Sequence, residues 1–276
     1  MPTAAWTLAA TAAAGAGGVL APGTASSFVA LLLFAAVVFL SIQQARHGTS
    51  RRTIRPLPAL DALNESIGRA TEMGRPVLFI PGIGGVTDPQ TISSYPILAR
   101  TALACARYDT RLLQPNINPV VYAVNDAIVR ETYLEAGRPD AYNRDDVHFI
   151  TANQFGFLGG VWQLMESERP AAAIYYGDFA AECLLLFEMG ALIDSVQIGA
   201  TANAIQIPFF VAQCDYALIA DEMYAASAYI SREPVATGTV IGEDLYKFLI
   251  LGVIALGVVW ASIVGGPAGF AYLLHR

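Results

Sequence analysis

Charge is scarce in this sequence. Only 14% of its 276 residues are Asp, Glu, Lys or Arg, 55% are hydrophobic, and the mean hydropathy is +0.47; a soluble domain carries roughly a quarter charged residues. Lysine is nearly absent, with Lys247 the one example, so there is no phosphate-binding G-x-x-x-x-G-K-[ST] loop. No G-x-S-x-G occurs, and the three histidines, His47, His148 and His275, are widely scattered. A Ser-His-Asp hydrolase therefore lacks its parts. His148 has no second His or Cys at ligand spacing, so no metal site is expected. Cys105, Cys183 and Cys214 form no C-x-x-C pair and read as reduced core residues. Basic charge is also short: between Asp61 and Asp244, ten arginines stand against all 23 acids, a formal −13. Such a surface repels a phosphate backbone, so nucleic acid is not an expected partner.

What is present is apolar sequence at both ends. No charged residue precedes Arg46, and Ser27–Ile42, with the small residues before it, is long enough for a hydrocarbon core of about 30 Å. A second uncharged run follows Lys247. The expected organisation is an Ala/Gly-rich tail over 1–24, a transmembrane helix over 25–45, a basic juxtamembrane linker over 46–56, a domain over 57–245, a second transmembrane helix over 247–265 and a short tail over 266–276. Whether 3–20 adds a further membrane segment is left open by its weak hydropathy. Arg46, Arg51, Arg52 and Arg55 follow the first span and Lys247 precedes the second. Positive residues stay on the cytoplasmic side, so the sequence predicts a cytoplasmic domain held on a membrane.

The middle of the chain alternates continuous apolar runs with helical patterns. The strand candidates are 77–80, 119–124, 147–151, 171–177, 195–200 and 207–213; helices are expected over 56–74, 93–113, 126–136, 154–168, 178–189 and 218–230. Strands without polar alternation are buried on both faces, as in parallel sheets. The expected fold class is α/β: a Rossmann-like three-layer domain with a mostly parallel sheet, flanked by N- and C-terminal transmembrane helices. Helices 178–189 and 218–230 are apolar or small on every face, which marks burial. They are the expected surfaces of self-association. Arg100, Arg107 and Arg111 fall on one helical stripe by spacing, either a solvated face or a dock for an acidic neighbour.

Four stretches, "RPLPALDALNESIGRATEMGRPVLFIPG", "QTISSYPILAR", "YLEAGRPDAYN" and "IPFFVAQCDYALIADEMYAASAYISREP", occur in this order. In them the chain resembles a bacterial family of uncharacterised proteins, domain of unknown function 6754, over about residues 55–246. The resemblance implies a membrane-anchored Rossmann-like domain. It carries no assigned catalytic residue.

The loop "FIPGIGG" follows the first strand. Gly82 and Gly84 occupy the first two glycine positions of a dinucleotide fingerprint, but Thr87 stands where the third belongs. The loop reads as a tight, glycine-permitted strand-to-helix turn. Open α/β sheets bind ligands at the carboxyl ends of their strands. The candidate crevice there comprises Gly82, Gly84, Asp88, Asn125, Asp126, Asn153, Asp178, Thr201, Asn203 and Asp215. The bland reading of Asp126 and Asp178 is helix capping, and that of Asn125 and Asn153 is turn formation. No catalytic residue, metal or cofactor is expected. The functional expectation is a membrane-anchored homo-oligomeric scaffold or assembly protein, with a small ligand at the sheet edge as an option. The alternative is a membrane-bound α/β enzyme or a nucleotide- or metabolite-binding module.

Overall fold

The computed structural model describes residues 25–47 and 57–264. The expected tails at 1–24 and 266–276, and the linker over 48–56, lie outside the described residues. Two compact units result, one of residues 53–236 and one combining 1–52 with 237–276.

The larger unit is built on six parallel strands: β1 (Val77–Ile80), β2 (Leu112–Asn116), β3 (Val147–Phe149), β4 (Ala172–Tyr176), β5 (Val196–Thr201) and β6 (Tyr216–Ile219). Their spatial order is β3-β2-β1-β4-β5-β6. The chain winds outward from β1 in one direction and then, from β4, in the other. Between β1 and β4 lies the point where strand order reverses, flanked by the register pairs Val77–Ala172 and Ile80–Tyr175. This is the doubly wound arrangement, and the parallel sheet is the expected one.

Helices cover both faces. In the larger unit these are α2 (Pro58–Met73), α3 (Pro89–Tyr108), α4 (Pro119–Glu135), α5 (Gln154–Glu168), α6 (Glu182–Leu192), α7 (Ile207–Gln213) and α8 (Asp221–Ser231). The helices α1 (Ala25–Arg46) and α9 (Pro234–Val264) belong mainly to the smaller unit. One core joins Leu63, Ile67, Leu98, Cys105, Val129 and Met223 of α2, α3, α4 and α8 to Val77, Phe79, Ile174 and Tyr176. The other joins Phe157, Val161, Phe187 and Phe210 of α5, α6 and α7 to Leu78, Ile80, Ala173 and Tyr175. Adjacent strand residues thus feed opposite cores, as the period of two requires. That explains why these strands carry no polar alternation.

Two expected strands are helices. Residues 119–124 form the first turns of α4: Pro119 sits in the first turn, and Asn118 accepts from the amides of Val120 and Val121. A proline preorganised for the first turn and an Asn cap outweigh the β-branched run. The strand is instead Leu112–Asn116, which buries Gln114, Pro115 and Asn116 entirely. Likewise 207–213 is α7, opened by Pro208, and Tyr216–Ile219 supplies the last strand. Helix α3 ends at Tyr108, so Arg111 leaves the expected stripe; it bridges Asp146 at 2.7 Å and Glu168 at 2.9 Å.

In the smaller unit, α1 and α9 pack antiparallel. A Cβ added to Gly238 would stand 2.5 Å from Ile42 Cα, and one on Gly242 2.9 Å from Val38 Cα. The rings of Tyr246 and Phe34 meet at 4.9 Å. Gly238 and Gly242, four apart, let the two backbones approach as small-residue pairs do. Among the described residues one helix segment, Phe28–Arg46, is long and apolar enough to cross a membrane. The expected second span over 247–265 is not such a helix there: it forms the latter part of α9, whose first half carries Glu243, Asp244 and Lys247.

Candidate functional site

At the carboxyl edge, the strand-order reversal would open a crevice between the loops after β1 and β4. Here those loops are joined. The Ile83 amide donates to the Asp178 carbonyl at 2.8 Å. Gly82 has φ 80° and Gly177 φ 151°. A Cβ on Gly82 would come within 2.9 Å of the Asp178 nitrogen and closer to its carbonyl oxygen; one on Gly177 would come within 2.9 Å of the Pro81 carbonyl carbon and closer to its oxygen. Both glycines are demanded by the close approach of two backbones.

The helix starts around this junction are filled by the chain itself. Asp88 caps α3: its Oδ2 accepts from the Thr91 amide at 2.8 Å and the Thr91 hydroxyl at 2.9 Å. Gly84 packs against that same carboxylate and hydroxyl, leaving no room for a Cβ. A helix N-terminus attracts anions, and this one already has its carboxylate. Gln90 reaches across the edge, its Oε1 accepting from the Ala202 amide at 2.7 Å and from Thr201 Oγ1 at 3.2 Å. Asn203 donates to Asp178 Oδ1 at 3.0 Å and to the Phe179 carbonyl at 3.3 Å. Asn153 caps α5 by accepting from the Gly156 amide at 2.9 Å. Glu182, buried in the first turn of α6, accepts from the Ala180 amide at 2.9 Å and from Gln154 Nε2.

Of the expected crevice residues, Gly82, Gly84, Asp88, Asp178, Thr201 and Asn203 therefore belong to one connected edge, and Asn153 stands at a neighbouring helix start. Three do not share that arrangement. Asp215 lies at the opposite edge, before β6, where its Oδ2 accepts from the Gln197 amide at 2.8 Å. Asp126 is inside α4, not at its cap, and accepts from the Tyr142 hydroxyl. Asn125, also inside α4, is fully buried and donates to Asn116 Oδ1 at 2.9 Å. Asp178 caps no helix either, because α6 begins at Glu182. Asn125, Asp126 and Asp178 are misplaced by helix boundaries, since α4 starts seven residues earlier than expected and α6 four later, and Asp215 because 207–213 is a helix and the strand follows it.

The residues that sequence reasoning missed are Gln90, Asn118, Gly177 and Glu182. Gly177 directly after a strand, and Asn118 before a proline, carried a readable signal; the cross-edge reach of Gln90 carried none. Two buried polar atoms at this end have no hydrogen-bond partner in the protein, the Tyr95 hydroxyl and Asn125 Oδ1. Burial, and then the nearby Asp88 carboxylate, raise the Tyr95 phenol above its ordinary range. No group of three or more His, Cys, Asp or Glu side chains that could hold a metal is found among the described residues. Burial holds the Cys105 and Cys183 thiols up to about 12, which leaves them protonated and unreactive near neutrality.

A family model, Domain of unknown function (DUF6754), matches residues 18–269. The chain belongs to that family. The match runs past the expected 55–246 at both ends and takes in α1 and α9 whole, so the flanking helices are part of what defines the family. No curated protein matches, and no solved structure does.

Proposed function

We propose that this DUF6754 chain is a membrane-anchored assembly protein whose doubly wound domain serves as a self-associating scaffold. The observation that carries this reading is the outer face of α6. Leu184, Leu185 and Leu192 stand exposed there, up to 62% for Leu192, on a helix whose other face already fills the core. The adjoining α7 exposes Phe209 and Val211. Apolar surface left over after a core is complete marks an interaction site. The expectation for the other helix, now α8, is weaker: its Met223, Ala226 and Ala228 are buried within the chain. The edge that binds nucleotides in doubly wound enzymes is closed here by the Gly82–Asp178 junction and the Asp88 cap, which argues against the enzyme alternative.

In this reading α1 and the apolar latter part of α9 both enter the bilayer of a bacterial inner membrane. The domain stays cytoplasmic, since Arg46, Arg51, Arg52, Arg55 and Lys247 lie on its side. Copies anchored in one orientation associate around an axis along the membrane normal. Mass measurement of the detergent-solubilised protein tests the assembly: a multimer that falls apart on Leu185→Glu supports it, and a monodisperse monomer ends it. Reporter fusions after residue 150 test the orientation; an exported reporter reverses it.

A second reading keeps a small neutral ligand at the carboxyl edge, because Tyr95 and Asn125 hold hydrogen-bonding capacity that the protein does not use. A thermal-shift screen of nucleotides, metabolites and metals separates the two. A large shift with NAD or ATP would overturn the non-enzymatic reading.

A further inference from the structure

The larger unit holds a cavity away from the carboxyl edge. It is lined by the first two turns of α2, the middle of α3, the last turn of α4 and the end of α8. Its volume is about 640 Å³, within the roughly 300–1,000 Å³ of small-molecule sites. Part of the lining is apolar: Leu60 and Leu63 are buried there, and Leu103 and Ile230 are half-buried. Four charged side chains share the lining, Asp61, Arg100, Glu135 and Arg232. Elsewhere in this unit arginines find carboxylates: Arg111 pairs with Asp146 and Glu168, and Arg138 with Asp109. Around the cavity, two cations and two anions come from four different helices or their ends, and none of them forms an ion pair among the described residues. Arg100 reaches a neutral group instead, donating to Asn64 Oδ1 at 3.4 Å.

That charge pattern selects a class of ligand. A simple anion that gains from the arginines also meets two carboxylates, and a simple cation meets two guanidinium groups. A dipolar molecule satisfies all four. Guanidinium forks match phosphate oxygens, and a primary ammonium offers three donors to carboxylates. An α-amino acid carries both its charges on one carbon and fills little of this volume. A phosphoethanolamine ester separates them by an ethylene link and brings apolar carbon with it. The cavity also adjoins both chain connections to the apolar helices: α2 begins at Pro58, two residues before Leu60, and α9 begins at Pro234, two residues after Arg232.

We infer that this cavity binds a phosphoethanolamine group. Arg100 and Arg232 take the phosphate oxygens, Asp61 and Glu135 take the ammonium, and Leu60, Leu63 and Leu103 take the carbon beside it. A phospholipid headgroup and a soluble phosphoethanolamine ester share this chemistry. For the lipid source the inference rests on the membrane attachment proposed above; it does not require self-association.

The test uses the full chain in nanodiscs and reads thermal unfolding. Discs of equal parts phosphatidylcholine and phosphatidylethanolamine should raise the melting temperature above that in phosphatidylcholine alone. Glycerophosphoethanolamine added to the phosphatidylcholine discs separates the sources: a matching rise assigns the cavity to a soluble ester, and a rise with the lipid alone assigns it to the membrane. Glycerophosphocholine should give none, because its trimethylated ammonium cannot donate to Asp61 or Glu135. Arg100→Gln or Arg232→Gln should weaken the stabilising ligand about tenfold and leave the unliganded melting temperature unchanged, since both side chains are exposed. Asp61→Asn with Glu135→Gln should reverse the preference, so that phosphatidylglycerol stabilises more than phosphatidylethanolamine. Equal responses to the ethanolamine and choline compounds overturn the site, as does no response to either, or a response that Arg100→Gln and Arg232→Gln leave intact. A monomeric mass in detergent ends the assembly reading without touching this one. Release of the chain from membranes by alkaline carbonate ends the membrane reading and the lipid source with it.

Discussion

The two edges of the sheet are held by different chemistry. At the carboxyl edge the contacts join distant parts of the chain, mostly between neutral groups: Gly82 on the Asp178 backbone, Gln90 on Thr201 and Ala202, Asn203 on Asp178. At the amino edge they are cationic. Arg75 donates to the carbonyls of Arg169 at 2.5 Å, Pro170 at 3.2 Å and Ile193 at 2.8 Å, gathering chain ends that precede β4 and β5. Arg111 spans Asp146 and Glu168 beside it. In doubly wound enzymes the carboxyl edge is left open for a ligand and the opposite edge is structural. Here the carboxyl edge carries structural contacts of its own and is the tighter of the two, since it admits no side chain at two glycines.

The largest expected effect breaks the carboxyl edge. Gly177→Ala puts a methyl against the Pro81 carbonyl, and neither partner is a flexible side chain. Overpacking costs about 1–3 kcal/mol by itself, and the left-handed backbone at φ 151° adds to it. Urea denaturation should show a loss of about 3 kcal/mol or more, with Gly82→Ala close behind. A loss under about 1 kcal/mol in both would mean that the loops separate readily and the crevice opens. At the amino edge, Arg75→Ala should cost about 2 kcal/mol, in the range for charge-assisted hydrogen bonds. Arg75→Lys should recover little, because one ammonium cannot reach three carbonyls in a fork. If the lysine variant matches the wild type, the fan of bonds at this edge is not structural.

The sequence made the sheet legible but not its corners. Continuous apolar runs identified β1 and β4, whose residues feed both cores, and β3 and β5, which place Val147, Ile198 and Ala200 in one of them. It hid β2, since Gln114, Pro115 and Asn116 resemble a loop; their polar groups are satisfied by one another, Gln114 Nε2 donating to Asn116 Oδ1 at 2.9 Å and Asn116 Nδ2 to the His148 carbonyl at 3.2 Å. A tertiary network made a strand of residues with little local preference for one. The candidate site suffered from the same cause. Once 119–124 was read as a strand, Asn125 and Asp126 moved to its end, whereas the proline after Asn118 had already marked a helix start. Asp88 carried a cap signal in the Pro89 that follows it, although the helix was expected only from residue 93; the α1–α9 contacts carried little, because helix partners are set by tertiary contacts that leave only a G-x-x-x-G trace.

A smaller effect sharpens the carboxyl edge. Asp88→Ala removes the α3 cap and should cost about 1 kcal/mol. Asp88→Asn keeps an acceptor and should cost less. If Asp88 serves only as the cap, neither variant acquires affinity for phosphate. Phosphate-dependent thermal stabilisation of Asp88→Asn alone would show a latent anion site, masked by the native carboxylate.

The smallest effect lies between the edges, on α4. Burial first, and then the hydrogen bond to Asp126, push the Tyr142 phenol up to about 12. An unfolded tyrosine loses its proton near pH 10. The folded state therefore holds a proton that the unfolded state has released between pH 10 and 12, so this contribution is complete below pH 10 and is lost on rising to 12. Tyr142→Phe deletes the hydrogen bond at every pH. Its deficit against the wild type should be at most about 1 kcal/mol below pH 10 and should close towards pH 12. The loss that both proteins share should begin lower, near pH 9, because the fully buried Cys105 thiol is also held up to about 12 while an unfolded thiol ionises near 8.5. Stability curves taken from pH 7 to 12 for the two proteins would decide this. A deficit that stays constant to pH 12 would show that the Tyr142–Asp126 bond does not control the phenol's proton and that packing alone accounts for the tyrosine.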